Sequence, residues 1–198
     1  MYTKIYEFKK YVYKEIDEAV SIPEKDTTNL YFIVNKKTSS IQFLIQDKSI
    51  IYGYAELIIK PNYYQVINVA AERGYGPFLY DSIMSYLDKP IRPNRSLSHD
   101  AYSVWNNYFL HRTDVQKTSI NKDDYWNTLD LNNKQVSDKK YLDPINYLYT
   151  ITDTTRKQKV LDWYNKSLEF QDNMIKLLPK WIDIRFNFAQ KWFYNKYM

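Results

Sequence analysis

The chain has 198 residues, 44% hydrophobic and 26% charged, a balance that supports a buried core and excludes wholesale disorder. It has no cysteine, which excludes disulfide frameworks, thiolate metal sites and cysteine nucleophiles. The net charge of +5 is scattered along the chain without a dense basic stripe, so nucleic acid is not the expected partner. No apolar run approaches the roughly 18 residues a membrane span needs.

In chain order, Tyr6, Tyr11, Val12, Ile16 and Val20 fall near helical spacing and predict an amphipathic helix ending before Pro23. Three runs with strand character follow: Leu30 to Val34, Ile41 to Ile45, and the longer Ile50 to Ile59, which contains Gly53. Asn35 to Ser40 and Gln46 to Ser49 predict the hairpin turns between them. A fourth run, Tyr64 to Ala71, follows the Pro61-Asn62 break and completes an antiparallel meander. Phe78, Leu79, Ile83, Met84 and Leu87 then mark a helix, with Pro77 at its start, where a missing N–H costs little. Lys89 to Pro93 leaves room for only a very short strand. Ser98 suits the N-cap of a helix from about His99 to Arg112, with Ala101, Val104, Trp105, Tyr108 and Phe109 on its inner side. Thr113 to Asp138 is polar and predicts a long surface excursion, with Trp126 as its anchor. Ile145 to Ile151 fits either a short strand or a helical turn. A long helix starts near Thr154 and stops at Pro179. Ile182, Ile184, Phe186 and Phe188 alternate as a strand would, while Ala189 to Tyr197 looks helical, and both assignments stay open.

Two of the three glycines, Gly74 and Gly76, lie between the fourth strand and its helix, in Glu72-Arg73-Gly74-Tyr75-Gly76-Pro77. A glycine turn into a helix exposes backbone N–H groups that favour an anion. It also serves simply as a tight turn that needs glycine for its backbone angles, and the spacing alone fits both. His99 and His111 are too far apart on one helix to form a metal pair.

Gly53-Tyr54-Ala55-Glu56-Leu57, then Val66 to Ala71, the Arg73-Gly74-Tyr75-Gly76 turn and a helix resemble the GCN5-related N-acetyltransferase (GNAT) superfamily. Ala71 to Tyr80, with Pro93-Asn94-Arg95-Ser96, Ser98, Ala101, Val104-Trp105 and Arg112-Thr113-Asp114-Val115, looks more narrowly like GNAT-like proteins of tailed bacteriophages. The resemblance implies an α+β fold: a mostly antiparallel central sheet flanked by helices, with a helical C-terminal extension. It implies acetyl-CoA in a gap beside the fourth strand, contacted by Val69, Ala70, Arg73, Gly74, Tyr75 and Gly76. Ala71 stands where the family has Arg or Gln, and Trp105 where many members have the tyrosine that protonates the departing thiolate. Tyr108, one helical turn later, is the substitute acid. Glu56, on the third strand, is the candidate base that takes a proton from the attacking amine.

The expected organisation is a core at 1–115, a polar excursion at 116–142 and a mostly helical region at 143–198 that packs on the core. The expected function is acyl transfer from acetyl-CoA to an amine on a protein or small molecule, in the host cytoplasm. The alternative is a non-catalytic GNAT-like phage protein, a virion component or host-factor-binding module, with Trp181, Trp192, Phe193 and Tyr194 as its anchors.

Overall fold

The computed structural model describes residues 26–48, 50–126, 129 and 143–197. The helix expected at Tyr6 to Val20 and most of the polar excursion lie outside them. The described part is α+β: a seven-stranded, mostly antiparallel mixed sheet with four α-helices.

Four strands come first: β1 (Tyr31–Lys36), β2 (Ser40–Gln46), β3 (Ile51–Ile59) and β4 (Tyr64–Ala71). They pair as an antiparallel meander, as their apolar runs and the turns between them predict. Helix α1 (Gly76–Tyr86) leads to β5 (Ile91–Arg92), which lies parallel to β4. Helix α2 (His99–Leu110) follows, with the Ser98 side chain accepting the Ala101 N–H at its start. Then come β6 (Val115–Ser119), β7 (Tyr147–Ile151), α3 (Thr154–Leu177) and α4 (Trp181–Tyr197).

The strand order is β1-β2-β3-β4-β5-β7-β6, so β7 inserts between β5 and β6. The sheet therefore runs past residue 115, where the core was expected to end. Strand β6 carries almost no local signal, because only Val115 is buried and the other four residues are exposed. It is a strand because it pairs residue for residue with β7, from Val115↔Ile151 to Ser119↔Tyr147. Trp126 does anchor the excursion: the Arg92 guanidinium lies 3.6 Å from its ring centre, and both its N–H and C=O bond to the Asn146 side-chain amide.

Alternation along the strands sends side chains to two cores. Phe32, Phe43, Ala55, Leu57 and Val66 pack with residues of α1, α2 and α3 on one face. Ile33, Leu44, Ile51 and Tyr54 pack under α4 on the other. Helix α3 passes along the edge strand β1. There Ser167 Oγ accepts the Phe32 N–H at 2.9 Å, and the Trp163 indole N–H donates to the Leu30 carbonyl at 2.8 Å. Those bonds occupy backbone groups that would otherwise offer a pairing edge.

The segment at 182–188 is helical despite its alternation. Trp181, Phe186 and Ala189 are buried at helical spacing, whereas Ile184 and Phe188 are left 47% and 54% exposed. The alternating pattern thus contains more apolar residues than one helix face can bury. Gly53 also has a packing reason: a Cβ there would meet Leu79 Cδ2 of α1 at 3.2 Å.

Candidate functional site

Strands β4 and β5 pair at only two positions, Tyr64↔Ile91 and Gln65↔Arg92, and then part. Two amide side chains hold the strands together where they diverge. Gln65 Nε2 donates to the Pro93 carbonyl, and Asn94 Nδ2 donates to the Ile67 carbonyl at 3.0 Å. Beyond this point the ladder direction is set by β3. Glu72 N–H donates to the Tyr52 carbonyl, so the backbones of Ala70 and Asn68 also face β3, and those of Val69 and Ala71 face the β5 side. Of the two strand residues expected to meet a cofactor, Val69 thus turns its backbone to the gap. Ala70 does not: its backbone is engaged with Tyr54 of β3.

The turn that follows is built by its own backbone. Tyr75 N–H donates to the Glu72 carbonyl at 2.9 Å, and Gly74 has φ 80°, a left-handed conformation that favours glycine. Helix α1 begins at Gly76 with Tyr75 as N-cap, no side-chain cap and no acidic residue in its first turn. Its first intrahelical bond runs from Leu79 N–H to the Tyr75 carbonyl. Among the described residues no protein group takes the N–H of Gly74, Gly76 or Phe78. A Cβ on Gly76 would meet nothing within 4 Å, so open space lies in front of it. Arg73 is exposed beside the turn. Tyr75 was expected to offer its amide as well, but that N–H belongs to the turn. Its ring stacks on Tyr52, centroids 4.7 Å apart.

The two proton-transfer candidates lie in different places. Glu56 is half-buried on β3, opposite Asn68 of β4. Its carboxylate accepts from Gln42 Nε2, the Tyr54 hydroxyl and Asn68 Nδ2 at 3.2–3.3 Å. Tyr108 is 1% exposed on the other face, its hydroxyl 2.7 Å from Asp81 Oδ1 and 3.0 Å from the Pro77 carbonyl. Burial, reinforced by the Asp81 charge, pushes the Tyr108 phenol well above its ordinary value of 10.0. Trp105 is fully buried, and its ring neighbours are Tyr80, Tyr108 and Tyr149, of α1, α2 and β7.

Asp81 is the centre of an ionic hub. Arg112 Nη2 reaches its Oδ2 at 3.1 Å and Arg156 Nη1 reaches the same oxygen at 2.9 Å. Asp114 accepts from both arginines as well. Burial pushes the Asp81 carboxyl up, and Arg112, Tyr108 and Arg156 pull it back. The Arg112 hydrogen bonds hold Asp114 below its ordinary 3.8. Sequence reasoning did not single out Asp81 or Arg156. The signal for Asp81 was present: it is the one charged residue in the helix GPFLYDSIMSY, and a charge inside a helix buried nearly all round needs a partner.

The shift of Asp114 gives a pH prediction. A depressed folded pKa contributes stability above the unfolded value and loses it as pH falls through the folded one. Asp81, shifted up, has the opposite slope: its contribution is present at low pH and lost as pH rises through its folded value. Replacing Asp114 by Asn is therefore expected to flatten the acid side of the stability curve. The check is urea unfolding of both proteins at about pH 3 and about pH 6. An unchanged difference between the two pH values would contradict it.

Among the described residues no group of three His, Cys, Asp or Glu could hold a metal ion, and no helix is long and apolar enough to cross a membrane. Compared with protein-family models, curated proteins and solved structures, the chain gives no significant match.

Proposed function

We propose that the chain is a GNAT-like N-acyltransferase of phage type that takes its acyl group from acetyl-CoA. The observation that carries this is the uncapped start of α1: partnerless N–H groups at Gly74, Gly76 and Phe78, open space at Gly76, and a strand beside it that has left its neighbour. Such an array suits a diphosphate, and Arg73 supplies a countercharge. The order of elements, four antiparallel strands, a helix, a parallel fifth strand, a helix and two further strands, agrees with the resemblance in the sequence.

In the reaction an amine nitrogen attacks the thioester carbonyl, the C–S bond breaks, and the thiolate leaves with its electron pair. The amine must lose a proton and the thiolate must gain one. The Val69 N–H faces the gap and would donate to the thioester carbonyl oxygen were acetyl-CoA bound there. Glu56 is a carboxylate one strand away from the gap. The acceptor is an amine of a protein or a small molecule.

A second reading, a non-catalytic interaction module of a virion or of a host-factor complex, draws support from α4. Ile184, Phe188 and Tyr194 are 47%, 54% and 50% exposed. Trp181 is buried, and Trp192 and Phe193 pack against the α4 core, so of the expected anchors only Tyr194 faces outward.

Calorimetric titration with acetyl-CoA separates the two. The acyltransferase reading expects saturable binding in the micromolar range. Absence of heat at millimolar cofactor would leave the interaction module.

A further inference from the structure

We infer that Tyr108, backed by Asp81, is a positioning residue that holds the first turn of α1 in register with a bound anion. The inference rests on the cofactor proposal for what that anion is. Four observations support it. First, α1 begins without the side-chain cap that normally fixes a helix start, and Pro77 removes one more N–H from its first turn. A cap would occupy the amides that face the anion, so leaving them available requires some other means of fixing the turn. Second, the single Tyr108 O–H proton is shared on α1 between two acceptors one helical turn apart, the nearer Asp81 carboxylate at 2.7 Å and, in the first turn, the Pro77 carbonyl at 3.0 Å.

Third, Asp81 is itself held by two cations. One comes from the end of α2 and one from the first turn of α3, Arg112 Nη2 at 3.1 Å and Arg156 Nη1 at 2.9 Å. With Asp114, the hub contains two carboxylates and two guanidinium groups, so it fixes the helix without adding net charge beside the anion site. Fourth, Tyr108 is buried to 1% exposure and its proton lies in a charge-assisted bond, which takes it out of contact with a leaving thiolate. The hydroxyl taken as the substitute acid acts instead on the first turn of α1.

The test uses the scarcity of glycine. Full-length protein labelled with 15N-glycine has only three labelled backbone amides: Gly53 in β3, and Gly74 and Gly76 in the turn. In Tyr108→Phe without any ligand, the Gly74 and Gly76 signals are expected to shift or broaden while Gly53 stays. The dissociation constant for acetyl-CoA should rise about tenfold, the size of one hydrogen bond to a charged group. Glycine signals that superimpose on those of the wild type would overturn the inference. So would an unaltered acetyl-CoA affinity in a variant whose unfolding midpoint alone has dropped. If the wild type binds no acetyl-CoA, the cofactor proposal fails, and the ligand-free glycine shifts still decide whether Tyr108 pins the turn. Should Tyr108→Phe not fold, Arg156→Gln removes one support of Asp81. It should move Gly76 in the same direction by less, and no movement there counts against the inference.

Discussion

Replacing Asp81 by Ala is expected to destabilise the fold by about 3 kcal/mol, near the lower end of the range for breaking a buried ion pair. The side chain is 7% exposed, and its loss leaves Arg112, 9% exposed, with one carboxylate in place of two. It also strips the Tyr108 hydroxyl of its nearer, charged acceptor and leaves it only the Pro77 carbonyl at 3.0 Å. Asp114 stays behind as a partner for Arg112, and that keeps the loss from reaching the upper end of the range. Arg156→Ala should cost far less, below about 1 kcal/mol, because that side chain is 29% exposed and solvent replaces much of its interaction. Urea unfolding of the two variants measures both. A loss at Asp81 no greater than at Arg156 would mean that the hub does not hold α1 to α2 and α3.

Replacing Gly76 by Asp should separate stability from binding by moving them in opposite directions. Gly76 is the first residue of α1, its backbone has ordinary helical geometry, and nothing occupies the space its Cβ would enter. A side chain there removes the entropic cost of glycine in a helix, and a carboxylate at the positive end of the helix is favourable. Unfolding is expected to require about 0.5–1 kcal/mol more. Acetyl-CoA affinity should fall by tenfold or more, at about 1.4 kcal/mol per tenfold, because the new carboxylate lies where the diphosphate would. Gly74→Ala behaves differently: with φ 80° it strains the turn itself, and stability drops by about 1 kcal/mol. Gly76→Asp that binds acetyl-CoA as tightly as the wild type would remove the anion-binding role of this turn.

The parts of the fold with a local signal were legible from the residues. Strands β1 to β4 follow from apolar, β-branched and aromatic runs bounded by turn residues, α1 from the Phe78 to Leu87 stripe, and α2 from Ser98 and the spacing of Ala101, Trp105 and Tyr108. The glycine turn was legible for the same reason, since a φ of 80° leaves few residues to choose from. Strand β6 was not, because four of its five residues face solvent and no periodicity marks them. The state of 182–188 was not either, since its apolar residues satisfy period 2 and a helix face at once. Within the site, residue type identified Tyr108 and Glu56 as groups able to move protons, but gave no hint that one is engaged with Asp81 and the other with Asn68 across the strand pair.

Local chemistry, read along the chain, therefore determined which segments are strands and helices and where the backbone must bend to start α1. Those choices depend on periodicity and on dihedral freedom, and both are properties of neighbours in sequence. Tertiary structure alone decided that β7 slips between β5 and β6, and that Arg156 reaches Asp81 of α1, 75 residues away. Partners of this kind are selected by which buried charges and open strand edges must be satisfied together once the layers pack, a condition that no short stretch of residues contains.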